Sequence, residues 1–297
     1  MILGYLFLSL SLASGAIKGF CGKKISGFAV NVRSAVLLNL CRMFICILLS
    51  LAFIIVTGDI KKLDFGAPII LTSALSGVGI SVFLVSWLIA VRKSAYMMID
   101  IFLMLGTLVP MICGGFMFGE RIALKQIAGF IILLLAVLIM CSYNNEIKIK
   151  MPAKTVVLLI VCGFANGVMS AAQKIFSRLE SFSPASVFNL YTYIFAFLFL
   201  ISFYALMPKR VQVKFDRDGT KNPVLYLLVM ALALTLNSYF ITMAAAHLDS
   251  VRLYPLTQGG ALIISTLMAS VFFKEKLTLR AVFGILLSFA ALLMINT

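Results

Sequence analysis

Two oppositely charged side chains lie inside apolar stretches of this sequence, where ionised groups are costly. Arg42 is the only base well inside such a stretch, and Asp100 is its acidic counterpart. Each lies about two helical turns from the start of its stretch. Charges in such positions usually face a cavity or each other. The pair could therefore lock two helices together as an ion pair, or it could bind a charged ligand or a proton.

Neutral hydrogen-bonding side chains in other apolar stretches are further candidates for binding a small molecule. Tyr254 and Gln258 lie one turn apart in "SVRLYPLTQGG", so they share a helix face and either contact a ligand or pack. Asn39 and Asn189 occupy equivalent positions in two similar stretches, where we favour hydrogen bonds between helices over ligand contact. Trp87 either forms the wall of a cavity or anchors its helix at a membrane interface.

Other kinds of chemistry have little support in the sequence. The chain has one histidine, and its six cysteines lie mostly in apolar segments without a Cys-x-x-Cys pair. There is no nucleophile–base pair, metal-ligand cluster or phosphate-binding loop, so we expect no enzyme, catalytic residue, cofactor or metal. The net charge of +15 comes from short segments that can meet lipid headgroups. We expect no nucleic-acid partner.

The composition indicates an integral membrane protein. Hydrophobic residues make up 63% of the 297 residues and charged residues only 12%, with a mean hydropathy of +1.13. Soluble domains carry about 25% charged residues. Apolar runs of about 18 residues or more are typical of membrane-spanning helices. We predict an all-α fold whose helices cross the bilayer in ten segments: 2–22, 34–57, 67–91, 94–118, 122–143, 155–177, 185–207, 223–246, 250–273 and 278–296.

The first segment resembles a secretory signal but lacks its positively charged start, so we expect a retained helix. The second and fourth segments would begin at the same membrane face. The depths of Arg42 and Asp100 would then match, and we expect the two side chains within hydrogen-bonding reach at the edge of a central cavity.

A polar turn occurs twice, as "FGERIALKQIAG" at 118–129 and "FKEKLTLRAVFG" at 273–284. Each has an acid (Glu120, Glu275) followed by a base, a second base four residues later and a glycine. We expect each acid to cap the helix that follows it and to pair with the adjacent bases. Two further stretches recur at the same offset of about 150 residues. Because five segments fall in each half, the second half would be inverted relative to the first. We therefore predict two five-helix repeats, 1–146 and 147–297, with their polar turns on opposite membrane faces.

The chain resembles the EamA type of the drug/metabolite transporter superfamily, because each of its two five-helix halves ends in this turn and a glycine-bearing last helix. The resemblance covers essentially the whole chain. It implies a ten-helix carrier of small metabolites. The first four helices of each half would line a cavity, and the fifth would lie outside it.

The expected function is that of a secondary transporter. It would move a small metabolite, amino acid or drug-like molecule by alternating access, as an exporter in a bacterial plasma (inner) membrane. A membrane sensor or structural protein without flux is the alternative. The resemblance leaves open coupling to a proton or another ion, and a homodimer.

Two arguments about orientation disagree. Loops after odd-numbered segments hold more than twice as many Lys and Arg residues as loops after even-numbered ones. The positive-inside rule then places both termini outside the cell. The family resemblance implies cytoplasmic termini instead. We expect the orientation that the charges indicate.

Overall fold

A computed structural model describes residues 2–93, 96–120, 122–141, 153–179, 184–208, 212–216, 220, 222–274 and 279–296. In these ranges the chain is helical, apart from loops, a short 3₁₀ turn at Asp59–Lys62 and one isolated antiparallel bridge between Ala29 and Phe215. The α-helices of the described residues are α1 (Ile2–Ser26), α2 (Val32–Thr57), α3 (Ala67–Lys93), α4 (Tyr96–Gly106), α5 (Leu108–Phe118), α6 (Leu124–Cys141), α7 (Ala153–Ser177), α8 (Ala185–Leu206), α9 (Pro223–His247), α10 (Ser250–Phe273) and α11 (Leu279–Asn296).

The all-helical prediction is confirmed for the described residues, and seven of their helices are long and apolar enough to cross a membrane. These seven are α1, α2, α3, α7, α8, α9 and α10. The other three predicted segments correspond to shorter apolar stretches at Phe102–Phe118, Leu124–Ala136 and Val282–Ile295. Ten spans in two inverted halves, and the division at 146/147, remain predictions.

The fourth predicted segment, expected as one helix, is divided into α4 and α5 at Thr107. Pro110 follows this break. A proline has no backbone N–H, so it cannot donate to the carbonyl four residues earlier, here that of Gly106. The Thr107 hydroxyl instead donates to the carbonyl of Met104 at 2.7 Å. The proline therefore accounts for the division.

Helices from residues 1–141 pack mainly against helices from residues 153–296. The principal contacts pair α1 with α9, α2 with α8, α3 with both α7 and α8, α4 with both α7 and α10, and α6 with α11. The largest hydrophobic cluster draws buried residues from both parts, among them Val36, Leu84, Tyr193 and Met230. The two parts therefore form one helical bundle.

Glycines form a close helix crossing between α4 and α7. A Cβ atom on Gly106 would overlap the carbonyl oxygen of Gly163, and one on Gly163 would overlap the carbonyl oxygen of Phe102. Both obstacles are backbone atoms, which cannot rotate away as a side chain can. This crossing requires glycine, and it holds α4 against α7 at a fixed distance.

We predict that Gly163→Ala destabilises the protein by about 1–3 kcal/mol or more, because the added methyl group forces the two backbones apart. Gly115→Ala is the matched control. Its Cβ would lie 3.9 Å from the nearest atom, the carbonyl oxygen of Glu120, and alanine is the better helix former. Thermal unfolding of the purified proteins in detergent measures both changes. Equal unfolding temperatures for the two variants would show that the backbones do not meet here.

Candidate functional site

A cavity of about 110 Å³ lies inside the bundle between α1, α3, α4, α7, α9 and α10. It is somewhat smaller than an apolar cavity of about 150 Å³ that holds benzene. Its polar and charged lining residues are Ser11, Lys18, Asp100, Asn166, Ser170, Gln173, Asn237, Tyr254, Thr257, Gln258 and Ser265. This concentration of hydrogen-bonding groups, enclosed by apolar helices, makes the cavity the candidate site.

Four of the seven predicted site residues line this cavity: Asp100, Tyr254, Gln258 and Trp87. The Tyr254 hydroxyl donates to the carbonyl of Ser170 at 2.7 Å and so joins α10 to α7. Gln258 lies one turn further along α10 and is partly exposed. Trp87 is 7% exposed and covers Gly22 of α1, where a Cβ atom would overlap its ring. Tyr254 and Trp87 therefore help to fix the cavity walls.

Lys18 lies in the cavity lining, a position that the sequence analysis missed. The predicted first segment, 2–22, already contains Lys18, but its charge was counted with the loop that follows; α1 extends to Ser26 and places Lys18 well within the helix. Its ammonium group lies 3.4 Å from the Asn237 side-chain oxygen and 5.8 Å from the centre of the Phe83 ring. The helical pattern of "GAIKGFCGKKIS" was the available signal, since it carries the helix past Lys18.

The predicted contact between Arg42 and Asp100 is wrong. No ion pair among the described residues joins the two side chains. Arg42 faces Cys21, Cys46 and Tyr193, whereas Asp100 lines the cavity next to Ser265. The depth of a residue along its helix does not define the direction in which its side chain points.

The two asparagines lie outside the cavity lining. Asn39 donates to the carbonyls of Ala35 at 2.9 Å and Leu84 at 3.4 Å, so it links α2 to α3. Asn189 accepts a hydrogen bond from Ser238 at 2.9 Å, and Ser238 accepts one from Gln173 at 3.3 Å. Gln173 lines the cavity, so these two hydrogen bonds connect Asn189 to the cavity lining.

A second charged cluster lies about one turn beyond the Tyr254–Ser170 contact. Glu120, in the loop after α5, pairs with Lys174 of α7 at 2.9 Å, and both side chains are buried. Its other oxygen accepts a hydrogen bond from the backbone N–H of Ser250 at 2.8 Å, in the first turn of α10. Lys174 also donates to the carbonyls of Ala245 and Leu248, at the end of α9. This Glu120 cluster holds together one end of the bundle.

The role predicted for Glu120 was only partly correct. It was expected to cap the helix that follows it and to pair with adjacent bases, but it caps α10 and pairs with bases of α7. Its counterpart in the repeat, Glu275, lies outside the described residues. Burial alone would raise the pKa of the Glu120 carboxyl. The hydrogen bond and charge of Lys174, with the Ser250 N–H, outweigh burial and lower that pKa below its usual value, so Glu120 is ionised at neutral pH.

The described residues define a helical membrane protein with a polar site between its helices. Residues 153–297 match the EamA-like transporter family. This match supports the resemblance found in the sequence, to the EamA type of the drug/metabolite transporter superfamily, and indicates a membrane transporter. EamA transporters are not a family of enzymes.

The fold has a counterpart among solved structures. A crystal structure with 15% sequence identity aligns over 98% of this chain and 95% of its own, with a TM-score of 0.73. At this identity the likeness concerns the fold alone. No curated protein sequence matches the chain.

We predict that Lys174→Met destabilises the protein by about 3–5 kcal/mol, since it strands the buried Glu120 carboxylate. It also removes the donor to two helix-end carbonyls. Arg178→Met is the matched control, because Arg178 contacts Glu120 at 3.5 Å from a side chain that is 38% exposed. An exposed ion pair contributes at most about 1 kcal/mol. Denaturant unfolding compares the two, and an equal loss in both would rule out the buried pair as the main contact.

Proposed function

We propose that this protein is a secondary transporter that carries a small polar molecule through the central cavity by alternating access. The cavity itself carries the proposal. It places two charged side chains and several amides and hydroxyls within a bundle of apolar helices. Membrane proteins retain such costly groups mainly where a substrate, an ion or a proton uses them.

The helix contacts support two halves related by an approximate two-fold axis. If α1 corresponds to α7 and α3 to α9, the α1–α9 contact is the counterpart of the α3–α7 contact. Both are among the most extensive in the bundle. The pairs α2 with α8 and α6 with α11 then join equivalent helices. Such repeats provide the two alternative packings that alternating access uses, with the substrate between the halves.

The Glu120 cluster supports closure of the cavity at one end. It joins the loop after α5, in the first half, to α7, α9 and α10 in the second half. A substrate could leave through this end only after the Glu120–Lys174 pair separates. We therefore propose that the cluster is a gate, which is intact in the conformation described here.

The remaining details of transport follow from the resemblance and the sequence. The chain would be a multi-pass protein of a bacterial plasma membrane, with export as the favoured direction. The sequence has no phosphate-binding loop, so an ion gradient or exchange of substrates would drive flux. Comparing flux in right-side-out and inside-out vesicles tests the direction.

We predict that Gln258→Ala lowers flux by about tenfold or more, because Gln258 offers an amide to the substrate. The assay measures uptake by proteoliposomes of labelled amino acids, nucleosides and organic acids, chosen by thermal-shift screening. Leu267→Ala is the control, since Leu267 lies on the same helix with 58% of its surface exposed on the outside of the bundle. Flux of none of these compounds by the wild-type protein would favour the non-transporting alternative. Equal flux by wild type and Gln258→Ala would place the substrate elsewhere.

A further inference from the structure

The charges inside the bundle differ in how they are balanced. In the Glu120 cluster, two acids face two bases, and the contacts between them measure 2.9–3.5 Å. The members of this cluster are Glu120, Lys174, Arg178 and Asp249. Lys18 and Asp100 line the cavity, and Lys18 lies within electrostatic range of both Asp100 and Arg42, so this group has two bases and one acid. The cavity group therefore carries one more positive than negative charge.

In the described part of the chain, no further acid pairs with these bases to neutralise the excess. Arg42 is only 2% exposed. Its Nε and Nη2 atoms are buried and have no hydrogen-bond partner among the described residues. The groups close to Arg42 are two thiols and a phenol, from Cys21, Cys46 and Tyr193, in addition to Lys18. Among the described residues, none of the ion pairs includes Arg42, Lys18 or Asp100. Burying an unpaired charge is strongly unfavourable.

The other described residues of the cavity lining do not supply the negative charge that would balance this excess. Its other polar groups are hydroxyls and amides, which include Asn166, Gln173, Gln258 and Tyr254. Within the described ranges, Lys18 forms one hydrogen bond, to the neutral side-chain oxygen of Asn237, at the long distance of 3.4 Å. Its ammonium group therefore retains donors for a ligand. A carboxylate placed beside Lys18 would bring the net charge of the group to zero.

We propose that the cavity binds a small organic anion, with a carboxylate directed to Lys18 and its uncharged remainder bonded to the amides and hydroxyls. Arg42 acts from behind Lys18 as a second positive charge and adds to the attraction. A neutral molecule of the same shape leaves the excess charge in place, and a cation increases it. This inference rests on the proposed function, since it assigns the net charge of the transported molecule.

The excess charge can be tested without any ligand. Lys18→Met removes it, so this variant should unfold at a higher temperature than the wild type in detergent. Asp100→Asn increases the excess and should unfold at a lower temperature. Lys125→Met is the control, because Lys125 is exposed on α6 and its loss should leave unfolding unchanged. If Lys18→Met loses as much stability as Asp100→Asn, the two groups compensate each other within the protein and the proposal is overturned.

Isosteric probes test the preference for an anion. Lactate and lactamide have nearly the same shape but differ by one negative charge, as do glycolate and glycolamide. In thermal-shift titrations at neutral pH, the anion of at least one pair should bind about tenfold more tightly than its amide. Lys18→Met should abolish this difference, whereas Lys125→Met should keep it.

The outcomes separate this inference from the proposed function. Equal or tighter binding of the amides overturns the inference, and flux of either amide in proteoliposomes would still support a transporter. Wild-type preference for the anions that persists in Lys18→Met overturns the assignment of the carboxylate to Lys18. If none of the four compounds binds, the unfolding temperatures decide. A higher unfolding temperature of Lys18→Met than of the wild type supports the excess charge, and a loss of stability as large as that of Asp100→Asn overturns it.

Discussion

A charge inside an apolar helical bundle needs either an opposite charge or a polar space, and this constraint organises the molecule. The protein meets it in two ways. Glu120 and Lys174 are buried and form an ion pair at 2.9 Å. Both also form hydrogen bonds with backbone groups at helix ends. Lys18 and Asp100 instead line a cavity among neutral hydrogen-bonding groups. Paired charges join helices, and unpaired charges mark the place where a ligand can contribute.

Close backbone contacts make this cavity possible. Gly106 and Gly163 allow α4 to touch α7. The break at Thr107 separates α5 from α4, so the two do not form one continuous helix. Asp100 lies on α4, and Asn166, Ser170 and Gln173 lie on α7. The glycine crossing therefore positions the acid of the cavity relative to its amides. In membranes, where helix association depends on packing, small residues have this role often.

Hydropathy alone was sufficient to predict a helical membrane protein, and the positions of most helices followed from it. Polar residues deep in apolar segments identified Asp100, Tyr254, Gln258 and Trp87 as cavity residues. The direction of each side chain could not be read from depth, so Arg42 was paired with Asp100 although α2 and α4 have different packing partners. Lys18 was missed because its charge was counted with the loop after the first segment. Glu120 was assigned to its neighbours in sequence, whereas its partners lie more than fifty residues away.

The central claim is that the cavity opens to water and is closed at the Glu120 end. Labelling with a charged, membrane-impermeant thiol reagent tests it most directly, in sealed vesicles and in a variant whose six native cysteines are replaced. Gln258→Cys reports on the cavity and Leu267→Cys on the outer surface of the same helix. The account predicts reaction of Gln258→Cys from the membrane face opposite Glu120, and none of Leu267→Cys. No reaction of Gln258→Cys from either face, or reaction only from the Glu120 face, would contradict it.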